Sequence, residues 1–164
     1  MKQIDEKDLN RAWDIVWGYT VAAIAKGAVP IPAMSIAIVA NNGFMIGHVS
    51  SVLSEDVSWE NIVASLGVAG ALNACGRAAF IELAKAVSWG TGSPWAAVAL
   101  SCFGSATAGV QTLIIGSLAI EIAKKGGRRL TAKEADAVIA MANANYKSYV
   151  ASMKNRDLPD PSGV

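Results

Sequence analysis

Charge is what this sequence has least of. Only 16% of its 164 residues are Asp, Glu, Lys or Arg, against about 25% in ordinary globular chains. The formal net charge is +1, so there is no strongly basic face and no nucleic-acid partner is expected. Histidine occurs once, at His48, and cysteine twice, at Cys75 and Cys102. So few ligands, so far apart, do not make a structural zinc site. No GxxxxGK[ST] segment is present, which excludes a phosphate-cradling P-loop. The acidic residues gather at the two ends and near the base of the central apolar run, and no pair is spaced for acid/base work. His48 with Ser50 or Ser51 is too commonplace to mark a triad. No catalytic residue, cofactor or metal is therefore expected, and the chain reads as non-enzymatic.

What the chain does have is apolar length. Hydrophobic residues make up 53% and the mean hydropathy is +0.38. Much of that content is Ala and Gly, which bury little area each, so composition leaves soluble and membrane-associated readings open. The longest such stretch runs from Asn61 to Ala123, broken by the turn-forming Gly-Thr-Gly-Ser-Pro at Gly90 to Pro94. It reads as two long helices folded back on each other, an antiparallel hairpin that must be hidden in a protein core or in lipid. Residues Trp95 to Ile120 are 26 consecutive uncharged positions, which passes the ~20-residue length for a bilayer span. The first arm is a weaker span, since its uncharged run from Asn61 to Gly76 is only 16 residues.

Both arms are rich in small residues. Gly67 and Gly70 on the first, and Gly104, Gly109 and Gly116 on the second, form surfaces that let another helix approach closely. Arg77 lies level with Thr107 across the hairpin and Asn73 level with Gln111, so an internal polar layer is expected there. The two cysteines sit at depths that differ by roughly 10 Å at ~1.5 Å rise per residue, which predicts free thiols rather than a disulfide.

Around the hairpin the pattern predicts three more helices, an all-α five-helix bundle in total. Residues 4–26 carry Leu9, Trp13, Val16, Trp17, Thr20 and Ile24 at helical spacing. The two tryptophans fit either a core or an interfacial belt. The segment MKQIDEKDLNRAW mixes charges and has no apolar run after a basic start, so it does not read as a secretory signal. Pro30 and Pro32 form a turn, since a residue before proline leaves the helical region. From Met34 to about Ser54 a second helix places Asn41, His48, Ser51 and Glu55 on one face. That stripe reads either as a ligand or ion path or as a hydrogen-bonded layer facing a neighbour or solvent. Ser58 or Asp56 is the expected cap of the third helix, which begins at Trp59.

Lys124, Lys125, Arg128 and Arg129 follow the second arm. Beside a hydrophobic helix they read as a cytoplasmic flank; beside Gly126 they read equally as ordinary C-terminal capping. Thr131 and Glu134 form a capping box that opens a fifth, amphipathic helix to about Lys154. It is expected to pack on the first helix or on a partner. The tail from Asn155, with Pro159 and Pro161, ends the order. The chain therefore divides into an apolar helical domain over residues 1–125, the amphipathic helix over 126–154 and a tail over 155–164.

The segment VPIPAMSIAIVANNGFMIGHVSSVLSEDVSWENIVASLGVAGALNACGRAAFIELAK, a Gly/Pro turn, and then QTLIIGSLAIEIA resembles the YcjF-like domain of unknown function. Pro30-Ile31-Pro32, Gly76-Arg77-Ala78 and the series Thr112, Gly116, Ala119, Ile120 and Glu121 carry the likeness, over about residues 15–125. The family's prolyl-glycine turn is replaced here by Thr-Gly-Ser-Pro. The resemblance implies a bacterial helical protein on the cytoplasmic side of the inner membrane, with a GTPase acting in trans as a partner. The function expected is binding or scaffolding, with the 61–123 hairpin as the insertion or assembly element and a homo-oligomer or membrane lipid as its cover. A pore-forming or toxin-like protein and a soluble homo-oligomeric bundle are the alternatives.

Overall fold

Helix boundaries in this protein follow local capping chemistry. The computed structural model describes residues 4–27, 33–68 and 108–154, and these hold five helices and no strand. Helix α1 (Glu6–Gly27) starts at Asp5, whose Oδ1 accepts a 3.2 Å hydrogen bond from the Lys7 amide, with Glu6 and Asp8 in the first turn. A carboxylate there satisfies an orphan N–H and complements the helix dipole. Helix α2 (Ala33–Leu53) ends in a Schellman turn: Ser54 takes φ +53° and the Glu55 amide donates to Ser50 O at 3.1 Å. Because α2 stops at Leu53, Glu55 lies in the turn and does not extend the face carrying Asn41 and His48, contrary to the sequence expectation. Ser58 caps α3 (Trp59–Val68) by accepting from the Asn61 amide at 3.2 Å.

Helix α4 (Ala108–Lys124) is the axis of the bundle, with every residue from Thr112 to Ile120 buried. A helix apolar on all sides needs neighbours on all sides, and α4 has them: it packs on α1, α2, α3 and α5. Two glycines set the closest approach. A Cβ on Gly116 would fall 2.5 and 2.7 Å from the Val16 methyls, and one on Gly109 would fall 2.5 Å from Ile24 Cγ1 and 3.0 Å from the Tyr146 ring. The pairs Gly116–Val16 and Gly109–Ile24 make α1 and α4 antiparallel. The residues of α1 fully buried at this seam are Ala12, Val16, Thr20 and Ala23. Val16 and Thr20 of the predicted stripe are thus fully buried, while Trp13 and Trp17 are partly buried against the core.

The end of α4 is a second Schellman turn. Gly127 N donates to Ile122 O at 3.0 Å and Gly126 N to Ala123 O at 2.9 Å, with Gly126 at φ +70°. The expected Gly126 cap is thus present. The turn folds α5 (Ala132–Lys154) back, so α5 packs on α4 and α3 through Ala135, Val138 and Ala142. The expected neighbour of α5 was α1 or a partner; a short, doubly capped turn returns the chain onto the helix it has just left, so α5 packs chiefly on α4 and α3, and at Gly109 its Tyr146 lies beside Ile24 of α1. Among the described residues no helix is long and apolar enough to cross a membrane.

Candidate functional site

The α1–α2 seam gathers the polar groups that the sequence put inside apolar helices. Asn41 is buried; its Oδ1 accepts from Lys26 Nζ at 2.8 Å, and its Nδ2 donates to Tyr19 O at 3.2 Å. About two turns further along α2, His48 Nδ1 shares a 2.8 Å hydrogen bond with the Tyr19 hydroxyl on the exposed rim. Tyr19 therefore ties both ends of the seam, once through its backbone and once through its phenol. Ser51 is exposed. The seam is a hydrogen-bonded layer between two helices, and the Asn41 amide already has a partner on each side.

A deeper link was not singled out from the sequence. Asn42 is fully buried, and Thr112 Oγ1 donates to its Oδ1 at 2.8 Å, tying α2 to α4. Asn42 Nδ2 has no hydrogen-bond partner among the described residues. Thr20, also fully buried, turns its hydroxyl to Val16 O at 2.8 Å. The twin Asn41-Asn42 in an otherwise apolar helix was the signal: adjacent positions lie 100° apart, so one amide serves α1 and the other α4.

Beside this seam α2 presents a face that the other described residues leave uncovered. Ala40, Phe44, Gly47 and Ser51 are exposed, Phe44 by 66%. A Cβ on Gly47 would meet nothing within 4 Å. The helix carries no Asp, Glu, Lys or Arg.

At the other end of the bundle the α4–α5 connection is pinned by α3. Asn61 Nδ2 donates to Gly127 O at 2.9 Å, and Ser65 Oγ accepts from Leu130 N at 3.0 Å. Gly127, at φ +79°, sits so close to Asp56 that a Cβ would fall 2.8 Å from its carbonyl oxygen. The basic residues here are largely paired. Lys124 contacts Glu121 at 2.8 Å, Lys125 reaches Glu134 at 3.3 Å, and Arg128 donates to both Glu134 oxygens at 2.8 and 3.1 Å. Arg128 first, then the Thr131 amide and hydroxyl, hold the Glu134 carboxyl far below the usual carboxylate range. The Arg129 side chain is exposed. The arrangement is that of a capped, salt-bridged turn, with the Thr131–Glu134 box closed at 2.9 and 3.4 Å.

Of the remaining residues singled out from the sequence, Gly109 and Gly116 face α1, with α5 and α2 respectively beside them, and Gln111 is half-buried on α4. Gly67 lies in α3. Pro30, Pro32, Gly70, Asn73, Arg77 and Gly104 lie outside the described residues, as do both cysteines, the hairpin tip and the tail. Among the described residues no group of three or more His, Cys, Asp or Glu side chains could hold a metal ion. No protein-family model matches this chain, and no curated protein or solved structure matches it either.

Proposed function

We propose that this chain is a non-enzymatic helical assembly or scaffold protein that works through an exposed apolar helix face. The observation that carries the reading is α2, a 21-residue helix without a charged side chain whose outer face leaves Phe44 66% exposed. A neutral helix face with a large apolar side chain, left uncovered by the other described residues, supports an interaction surface. Insertion of the 61–123 hairpin into lipid draws less support from its second arm, because the apolar residues of α4 are covered by the chain's own helices. A pore lined by Asn41 and His48 draws little, because the Asn41 amide is already paired on both sides. The likeness to the YcjF-like domain extends the proposal to an inner-membrane address and a GTPase partner in trans.

Cell fractionation with carbonate extraction, followed by mass measurement with and without detergent, tests this reading. Assembly predicts a discrete mass above the 17.0 kDa of one chain in detergent-free buffer. Recovery of a compact single copy in the extractable fraction would overturn it.

A further inference from the structure

Apolar side chains alone leave the rotation of α2 about its own axis poorly fixed. Its inward side carries Met45, Ile46, Val49 and Leu53, yet Phe44 stands on the outward side and Val52 is only half-buried. Adjacent positions lie about 100° apart, so turning α2 by one position moves each residue into its neighbour's place. In one sense of turn Ser50 enters the place of Val49 and Gly47 that of Ile46, which puts a hydroxyl and a bare glycine into the core. In the other sense Phe44 enters the place of Met45, Met45 that of Ile46, and Val52 that of Leu53. Those exchanges keep apolar for apolar, and they bury the largest side chain on the helix.

What opposes the second turn is polar. Asn41 would enter the place of Asn42, opposite Thr112, but Ala40 would then stand where Asn41 now holds Lys26 Nζ and Tyr19 O. His48 would leave the Tyr19 hydroxyl and enter the fully buried place of Val49. Two adjacent amides, each with a partner on a different helix, are both paired in one setting only. We infer that Asn41, Asn42 and His48 together set the rotation of α2, and so decide that Phe44 faces outward. The inference is independent of what covers that face. It also accounts for Asn42, whose Nδ2 has no hydrogen-bond partner among the described residues. A half-paired buried amide is costly where leucine would fill similar space, and buried polar groups of this kind are best attested as devices that fix register.

The test uses the full chain with Cys75→Ala and Cys102→Ala, diluted until sedimentation finds a single copy. Single reporter thiols are then read by their rate of reaction with a soluble thiol reagent. Ala40→Cys, on the exposed side, should react fast, whereas Ile46→Cys and Ser117→Cys, at buried positions of α2 and α4, should react slowly. The polar set is removed by Asn41→Leu, Asn42→Leu, His48→Ala and Thr112→Val. The ratio of the Ala40→Cys rate to the Ile46→Cys rate should then shrink by roughly tenfold or more, the change that one unpaired buried group makes in an equilibrium. Ser117→Cys should stay protected and the helical circular dichroism unchanged, because α4 keeps its neighbours. Restoring Asn42 and Thr112 alone should bring the ratio back. An unchanged ratio in the replaced chain would overturn the inference, since apolar packing would then suffice. Exposure of Ser117→Cys together with Ile46→Cys would overturn it too, by assigning these residues to the stability of the whole bundle. If the replaced chain does not fold, Asn42→Leu with Thr112→Val carries the same test: the ratio should fall, and a wild-type ratio would overturn the role of the Asn42–Thr112 link.

Discussion

Helices α2 and α4 are both strongly apolar and poor in charge, yet the bundle treats them differently. Helix α4 is surrounded by α1, α2, α3 and α5, and nine consecutive residues, Thr112 to Ile120, are buried. Helix α2 is covered on the side where Met45, Ile46, Val49 and Leu53 meet the core, and Ala40, Phe44, Gly47 and Ser51 face outward. Apolarity along a sequence measures the need for cover. Neighbours supply it, and their number is a property of the packing.

The difference can be broken most directly by truncation. Leu118 is fully buried, so Leu118→Ala is expected to cost about 2–5 kcal/mol in urea unfolding. Phe44→Ala, measured where the chain is a single copy, should stay within about 0.5 kcal/mol. Equal costs would mean that the outer face of α2 is covered.

The next largest effect comes from one substitution made on each helix. Gly116→Ala forces a methyl into the Val16 side chain and within 3.1 Å of Met45 Sδ, and should destabilise by about 1–3 kcal/mol. Adding Val16→Ala should restore part of that loss. Gly47→Ala meets open space and should stabilise the single copy by about 1 kcal/mol through helix propensity. The opposite signs are the result to look for in the thermal midpoints.

The link between the two helices is polar, and its expected effect is similar or smaller. Thr112→Val leaves the buried Asn42 amide with no partner at its oxygen as well as its nitrogen, at a cost of about 1–3 kcal/mol. Adding Asn42→Leu should recover most of it, since removing both partners leaves nothing unpaired. A double variant no better than Thr112→Val would show that Asn42 has a further role.

The smallest effect belongs to the exposed turn after α4. Glu134 is held in the fold below its ordinary value of 4.5, chiefly by Arg128. The unfolded chain therefore takes up the proton first as the pH falls. The stability contributed by this carboxylate is complete above about pH 4.5 and is lost progressively below it. Thermal midpoints followed from about pH 6 to about pH 3 should fall less steeply in Glu134→Gln than in wild type, and high salt should shrink the contrast.

Local chemistry was legible in the sequence. The Thr131–Glu134 box, the Gly126 cap and the Ser58 cap each need only residues within a turn of one another, and each is present. The bounds of α1, α2 and α5 follow from such signals and from apolar spacing. Less legible was what each face meets. Asn41 and His48 share a face of α2, but Asn41 is buried and His48 exposed, because α1 crosses over one and leaves the other at the rim. Gly109 and Gly116 stood out as packing residues, while the identity of their neighbours, Ile24 and Val16, depends on a contact about ninety residues away in the chain.

By itself, then, the sequence determined an all-helical chain with defined helix starts and stops, two charge-poor helices in need of cover and small-residue surfaces ready for close crossing. Only the tertiary structure decided that α4 takes the centre, that α5 turns back chiefly onto α4 and α3, that Asn42 bonds Thr112, and that the other described residues leave the Phe44 face of α2 open. The physical reason is range. Capping and helical periodicity act over a few residues and are written consecutively, whereas burial is a competition among distant surfaces for the same neighbours.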